Sequence, residues 1–322
     1  MSTILVTSLG SVAADIAIKS LRQLGHRVVG TDIYPKEFHV ESYEVNAFYQ
    51  SPYVNDISYR EHIEDICTKE NVKYIFPLTD VDVDFFNDHR QWFIDHHITV
   101  CISPKYSLNI IRDKKKLQDF TRMKCPKIKS IPTMRLKDMK KLEWDFPLVC
   151  KPKNGRSSQG LRYIYSMEEW ESFRKCADQD SYIVEPYISG PIVMVEIVRD
   201  SVHHKVVAIP RQELIATPHG CGTTVRMYHD EQLEEDSVQL AEALDIVGCV
   251  NFEYIRHTDD AYYLVECNPR FSAGVEFSCM AGYNCIANHL ACFSRKKIDD
   301  YTFHGEMVIA RKYEEYVTAI KK

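Results

Sequence analysis

Apolar residues in this chain fall into two patterns: short Val/Ile-rich runs, and longer stretches with apolar positions at helical spacing. In the first third they alternate. "TILV" reads as a strand. The next segment places Ala13, Ile16, Ala17, Leu21 and Leu24 at helical spacing, and Gly25 ends it. "RVVGTDI" is the following strand. A capping box from Ser58 to Glu61 opens another helix, and "VKYIFPL" and "ITVCIS" supply two more strands. Strands alternating with helices predict a parallel, doubly wound sheet over roughly residues 1 to 110.

Beyond Arg112 the pattern changes. "DKKKLQDFTRMK" reads as a helix with Leu117, Phe120 and Met123 inward, and the Pro- and Lys-rich "CPKIKSIPTMRLKDMKK" as a connection. "FPLVCKPKNGRSSQGLRYI" reads as a strand (Leu148 to Lys151), a polar loop with Gly155 and Gly160, and a returning strand (Leu161 to Tyr165). A second capping box, Ser166 to Glu169, opens a helix carrying Trp170 and Phe173. In "SYIVEPYISG" an apolar strand meets Pro186, which interrupts a ladder and leaves nearby backbone groups free. "VNFEYI" (Val250 to Ile255) and "YYLVECNPRF" (Tyr262 to Phe271) flank the polar "RHTDDA" as a hairpin.

Composition narrows the classes. A chain of 322 residues exceeds what one core usually serves, so two or three domains are expected. Hydrophobic content of 45% with 27% charged residues is that of a soluble globular protein. The net charge of -6 and the lack of a basic run argue against nucleic acid as a partner. No apolar run approaches a membrane span, and "MSTILVTSLGS" lacks an export signal, so a cytoplasmic protein is expected. The 11 cysteines form no CxxC pair and read as reduced small hydrophobes. His96-His97 and His203-His204 lack zinc-site spacing.

Candidate chemistry centres on the hairpin. Side chains two apart on a strand share a face, so Glu266, Asn268 and Arg270 point together. A four-residue loop, Thr258 to Ala261, pairs His257 with Tyr262 and hence Glu253 with Glu266. Directly opposed like charges destabilise a sheet, which calls for a cation between them. Magnesium, a hard ion taking oxygen ligands at about 2.1 Å, fits, with Asn268 as a third donor. A solvated hairpin with two ordinary glutamates is the plain alternative. The loop from Gly155 to Gly160 offers backbone N–H groups to phosphate, with Lys151 and Lys153 beside it on one face. No GxxxxGK[ST] segment is present, so this is not a P-loop. A rival signal lies at "SLGSVA", close to a dinucleotide fingerprint with Asp32 at the ribose position, but Ser8 replaces its first glycine.

Taken in order, Asp113-Lys114, "VCKPKNGRSSQG", "IVEPYISG", "VEIVRD", "VNFEYI" and "VECNPRFS" resemble the ATP-grasp proteins. The likeness is to single units of the carbamoyl-phosphate synthase large subunit and to stand-alone carboxylate–amine ligases, over about residues 112 to 285. It implies a Rossmann-like pre-ATP-grasp domain (residues 1–111) that binds no dinucleotide. A two-lobed ATP-grasp fold would follow, with a small lobe (112–187) and a large lobe with the metal site (188–322). Carried over residue by residue, Lys114 and Lys151 contact ATP phosphates, with Lys153 beside them. The loop with Gly155, Ser157, Ser158 and Gly160 is the phosphate lid. Glu185, Tyr187 and Ile188 form the adenine hinge; Glu253, Glu266 and Asn268 hold Mg2+, with Mn2+ as the alternative ion. Arg270 stabilises the transferring phosphate, and Arg211 stands where relatives bind substrate or phosphate. The implied reaction converts ATP to ADP and phosphate while joining a carboxylate to an amine through an acyl phosphate.

The chain departs from that pattern at Ile192, which stands where many members carry a ribose-binding glutamate. There is no second ATP-grasp unit, glutaminase region or biotinyl Met-Lys-Met segment. The expected partners are a small polar acid, such as an amino acid or sugar acid, and an amine or ammonia. A homodimer is common among relatives. Asp80 and Asp82 in "PLTDVD", and His219 and Arg226 around "ATPHGCGTTVR", are the substrate-side candidates. A non-catalytic nucleotide-binding protein and an NAD-dependent oxidoreductase are the competing readings.

Overall fold

The structure is a computed structural model and describes residues 1–156, 158–218 and 220–320. Five parallel strands, β1 (Thr3–Thr7), β2 (Arg27–Asp32), β3 (Ala47–Gln50), β4 (Val72–Phe76) and β5 (Thr99–Val100), form the first sheet in the order β3-β2-β1-β4-β5. Strand order reverses between β1 and β4, which opens a crevice at their carboxyl ends, where α/β sheets bind ligands. The short "AFYQ" of β3 was not foreseen; it is only half-buried and carries little apolar signal. The first helix, Ala14–Gln23, buries Ala14, Ala17, Ile18 and Leu21, so its apolar stripe runs through Ile18 rather than Ile16, and Leu24 is exposed. Ser58 caps nothing through its side chain, because its hydroxyl donates to Asp56 Oδ1 at 2.7 Å instead.

A four-stranded sheet, order β7-β10-β8-β9, contains β7 (Met134–Arg135), β8 (Leu148–Pro152), β9 (Arg162–Ile164) and β10 (Tyr182–Pro186). The seven-stranded sheet runs β16-β13-β12-β11-β14-β15-β6. Its strands are β6 (Lys129–Ser130), β11 (Ile192–Asp200), β12 (Lys205–Ala216), β13 (Gly222–Tyr228), β14 (Gly248–Arg256), β15 (Tyr262–Asn268) and β16 (Glu306–Ala310). The chain thus joins the large sheet at β6, parallel to β15, before it builds the small one. It leaves through residues 131–133 and returns through residues 187–191. The small sheet packs over its own core of Leu136, Leu148, Cys150, Trp170 and Val184. The first domain and the large sheet instead share one core, in which Ala17 and Leu21 meet the cluster of Val198, Ile209 and Ile286.

The helix Lys114–Lys124 begins at Asp113, whose side chain accepts from Lys116 N, and buries Leu117 and Phe120. Met123 is 69% exposed, contrary to expectation. The inward position goes to Gln118, whose Nε2 donates to Leu264 O at 2.8 Å while its Oε1 accepts from Ile131 N at 3.0 Å. A buried amide with both ends satisfied pins this helix to β15.

His289, on the helix Cys285–Phe293, lies in that shared core between Phe76 and Phe271. Its Nδ1 accepts from Cys249 N at 2.8 Å, so that nitrogen must stay unprotonated. Burial drives its pKa down to about 3. A histidine whose folded pKa lies below its unfolded value near 6.5 leaves the unfolded chain binding the extra proton, so stability falls as pH drops from about 6.5 toward 3. The loss should approach about 1.4 kcal/mol per pH unit in that window. We expect urea midpoints to drop between pH 6.5 and 4.5 more steeply in the parent protein than in His289→Gln; equal slopes would remove this role.

Candidate functional site

The register of the large sheet assembles the site. Glu253 on β14 lies directly opposite Glu266 on β15, and Asn251 opposite Asn268. Across the other edge of β14, Met194 faces Glu253 and Glu196 faces Asn251 on β11, and Arg211 on β12 faces Met194. Paired positions share a face, so one row carries Arg211, Met194, Glu253 and Glu266, and the next carries Glu196, Asn251 and Asn268. The opposed glutamates arise by a different route from the expected one. β14 ends at Arg256, which pairs with Tyr262, so the connection is one residue longer than predicted. A bulge between Tyr254–Leu264 and Glu253–Glu266 then restores the register.

All of these side chains except the fully buried Glu196 open onto a cavity of about 1510 Å3 bounded by the first domain, the small sheet and the large sheet. That volume exceeds the roughly 300–1,000 Å3 usual for one small ligand. Lys114 Nζ lies 3.0 Å from Glu266 Oε2 and donates to Gly155 O at 2.8 Å, which ties the glycine loop to the acidic pair. Burial favours the neutral form of Glu266, but Lys114 and Lys151 outweigh it and pull its pKa down. Burial and the neighbouring Glu266 charge push Glu253 up. Lys151 is buried at the end of β8, 2.8 Å from Glu185 Oε2; burial opposes its charge, and Glu185 more than restores it.

Several expected placements shift. β8 stops at Pro152, so Lys153 does not share a face with Lys151; its Nζ turns to Asp180 O at 3.0 Å, and it does not line the cavity. Gly155 and Ser158 line the cavity; Gly160, at φ +76°, has its carbonyl held by Tyr182 OH, where a Cβ would come within 2.8 Å of that oxygen. Ser157 and His219 lie outside the described residues. Glu185 is 2% exposed, with Oε1 accepting from Thr133 Oγ1 at 2.9 Å. Tyr187 and Ile188 line the cavity, but the Tyr187 N–H is not free: it donates to Pro147 O at 3.1 Å. Ile192 faces the same cavity and pairs with Ile255, leaving an apolar wall there.

Arg270 faces Asn268 and the first domain together. Its Nε and Nη2 donate to Asp80 Oδ2 at 3.2 and 3.0 Å, and Nη2 also to Asn268 Oδ1 at 3.2 Å. Burial opposes ionisation of Asp80, but Arg270 and Arg112 hold its pKa below the ordinary value. Asp82 is fully enclosed, accepting from Ser8 Oγ, Thr79 Oγ1 and Tyr59 OH, so neither aspartate offers a free carboxylate to an amine. The fingerprint region is likewise occupied: the Gly10 N–H donates to Asp32 Oδ2 at 2.7 Å, where a dinucleotide phosphate would need that donor. Arg211 is 1% exposed and held by Glu196 at 2.7 Å, Glu213 at 3.3 Å and Ser272 Oγ at 2.9 Å. Arg226 turns to Gln212 and Glu306.

Sequence reasoning missed Asn251. It is wholly buried, lines the cavity, and neither its Oδ1 nor its Nδ2 has a partner. Orphaned amides are rare in folded proteins and mark a place for an outside group. The signal was available, since Asn251 stands two residues before Glu253 on one strand. Among the described residues no group of three or more His, Cys, Asp or Glu is placed to hold a metal. The set here differs, with two carboxylates and Asn268, and its all-oxygen chemistry beside an unpartnered Asn251 fits a hard divalent ion.

Residues 178–314 match the model described as ATP-grasp in the biosynthetic pathway with Ter operon, and residues 4–101 match the PylC-like N-terminal domain. The chain carries an ATP-grasp domain behind a PylC-like N-terminal domain. The carbamoyl phosphate synthase large chain of Agathobacter rectalis is 25% identical over 147 residues, covering 42% of this chain and 14% of that one. Biotin carboxylase from Campylobacter jejuni superposes with a TM-score of 0.80 at 17% identity, over 96% of this chain and 75% of that one. The L-amino acid ligase of Bacillus licheniformis gives 0.69 at 16% identity, over 89% and 72%. At these identities the structural likeness is one of fold. No helix among the described residues is long and apolar enough to cross a membrane, and all 11 cysteines are unpaired thiols.

Within the ATP-grasp domain, Arg211 makes a buried ion pair with Glu196. Removing one partner of such a pair strands the other charge, at a cost of about 3–5 kcal/mol. We expect Arg211→Met to lower the urea-unfolding free energy by that amount. A loss below about 1 kcal/mol would show that the pair is not a structural clamp.

Proposed function

We propose that this protein is an ATP-dependent, ADP-forming carboxylate–amine ligase. The observation that carries the reading is the opposed Glu253–Glu266 pair, with Asn268 and Arg270 at the exit of one strand and Lys114 and Lys151 above it. Phosphoryl transfer needs positioning and charge neutralisation more than a protein nucleophile. Lys114, Lys151 and the glycine loop would receive the phosphates, and Tyr187 and Ile188 the base. Glu253, Glu266 and Asn268 would hold Mg2+, which neutralises phosphate charge when bound. Arg270 presents its guanidinium to the transferring group.

In the reaction a substrate carboxylate oxygen bonds to the γ-phosphorus of ATP and ADP leaves. The amine nitrogen then bonds to the carbonyl carbon, phosphate leaves with the C–O electron pair, and the amine loses a proton. The volume beyond the nucleotide's share opens toward the first domain, and we place the acid and amine there. A small polar acid, an amino acid or sugar acid, suits that space. The unpartnered Asn251 amide supports a site built for ligands over a purely structural remnant.

The test is magnesium-dependent ADP release across pools of amino acids and sugar acids, with and without amines, beside Glu266→Gln. Release should require an acid and fall about a hundredfold or more in the variant. Mg·ATP binding without turnover in any pool would favour a binding protein; NAD binding with indifference to Mg·ATP would defeat the proposal.

A further inference from the structure

Asp80 opens the helix Asp80–Asp88 at the carboxyl end of β4, in the crevice of the first domain, and is 3% exposed. Its two oxygens have separate partners. Oδ2 accepts both Nε and Nη2 of Arg270, while Oδ1 accepts Nη1 of Arg112 at 3.3 Å. Arg112 is itself fixed by a two-pronged pair with Asp84, one helical turn on, at 2.8 and 2.7 Å. The arrangement runs Asp84–Arg112–Asp80–Arg270–Asn268 and links the first domain to the end of the metal-side strand.

From this geometry we infer that Asp80 is a positioning residue that fixes Arg270 at the reacting face from across the domain boundary; the inference rests on the ADP-forming reading of the site. A free arginine side chain carries about 2 kcal/mol of rotamer entropy. Arg270 leaves its strand just after Pro269, where sheet pairing has stopped; its own segment offers only two neutral acceptors, Asn268 Oδ1 to Nη2 at 3.2 Å and Phe271 O to Nη1 at 3.1 Å, and Asp80 is its charged partner. Two donors converging on one carboxylate oxygen set the plane of its guanidinium, and Nη2 then reaches Asn268. A donor held in place before the reaction stabilises developing charge without reorganising. An asparagine replacing Asp80 would keep the shape but turn an NH2 group toward one of two cations. Glutamate would keep the charge on a longer arm.

The experiment measures ADP formation with the amino-acid and sugar-acid pools, Mg·ADP affinity by calorimetry, and melting temperature. The proteins compared are the parent, Asp80→Asn, Asp80→Glu, Arg270→Lys, and a double variant that combines Asp80→Asn with Arg270→Lys. Misplacing a reacting group by about 1 Å costs on the order of a hundredfold. Asp80→Asn should therefore lower kcat about ten- to hundredfold, with KM for ATP and Mg·ADP affinity within about threefold of the parent. Asp80→Glu should recover much of the loss, and the double variant should be no slower than Arg270→Lys alone. Unchanged kcat in Asp80→Asn, losses that add in the double variant, or a kcat loss matched by weaker Mg·ADP binding would each overturn the inference. A parent protein that binds no Mg·ADP would sink the nucleotide reading first, and a parent that binds it but forms no ADP would remove the step Asp80 is held to serve.

Discussion

Two carboxylates face each other across one pair of strands, and much of the molecule is arranged around that repulsion. Glu253 and Glu266 cannot both stay charged side by side without cations nearby. Lys114 arrives from a helix pinned to β15 through Gln118. Lys151 arrives from the small sheet. Arg270 and Asn268 extend the same face, and Asp80 reaches in from the first domain. Three separately built parts of the fold thus meet at one electrostatic problem, in which burial and the Glu266 charge push Glu253 up while Lys114 and Lys151 pull Glu266 down.

The shared core explains why the first domain is more than a shelf. Its first helix packs with the helix Cys285–Phe293 and the large sheet, so the two behave as one packed body. His289 stands inside that body as a neutral acceptor, bonded to the edge of β14 only two residues before Asn251. The backbone that presents the site and the packing that joins the domains are therefore held by adjacent residues.

Much of this was readable in the chain because residue spacing maps directly onto strand faces. Period-two spacing put Glu266, Asn268 and Arg270 together, and alternation of strands and helices announced the first sheet. The failures share a cause: they depend on where an element ends or on what a polar group finds through space. The i, i+2 rule failed for Lys153 because β8 stops at Pro152. The hairpin loop was one residue short in the reading, and a bulge that no propensity signals brought the glutamates opposite each other all the same. Asp80 and Asp82 read as turn residues or amine binders, whereas arginines satisfy Asp80 and the hydroxyls of Ser8 and Tyr59, from distant segments, join that of Thr79 on Asp82. Asn251 looked unremarkable because its meaning lies in lacking a partner.

The small sheet keeps its own core and joins the rest of the chain through two short connections, residues 131–133 and 187–191. Thr133 in one connection bonds to Glu185 at the mouth of the other. A body tethered at two neighbouring points has one soft motion, a swing about the line between them. Lys151 and the glycine loop ride on the swinging part, while both glutamates stay on the frame. Lys114, on a helix of the frame, bridges the two: its backbone N–H donates to Lys153 O and its Nζ to Gly155 O, both at 2.8 Å, so the frame grips the glycine loop beside the acidic pair.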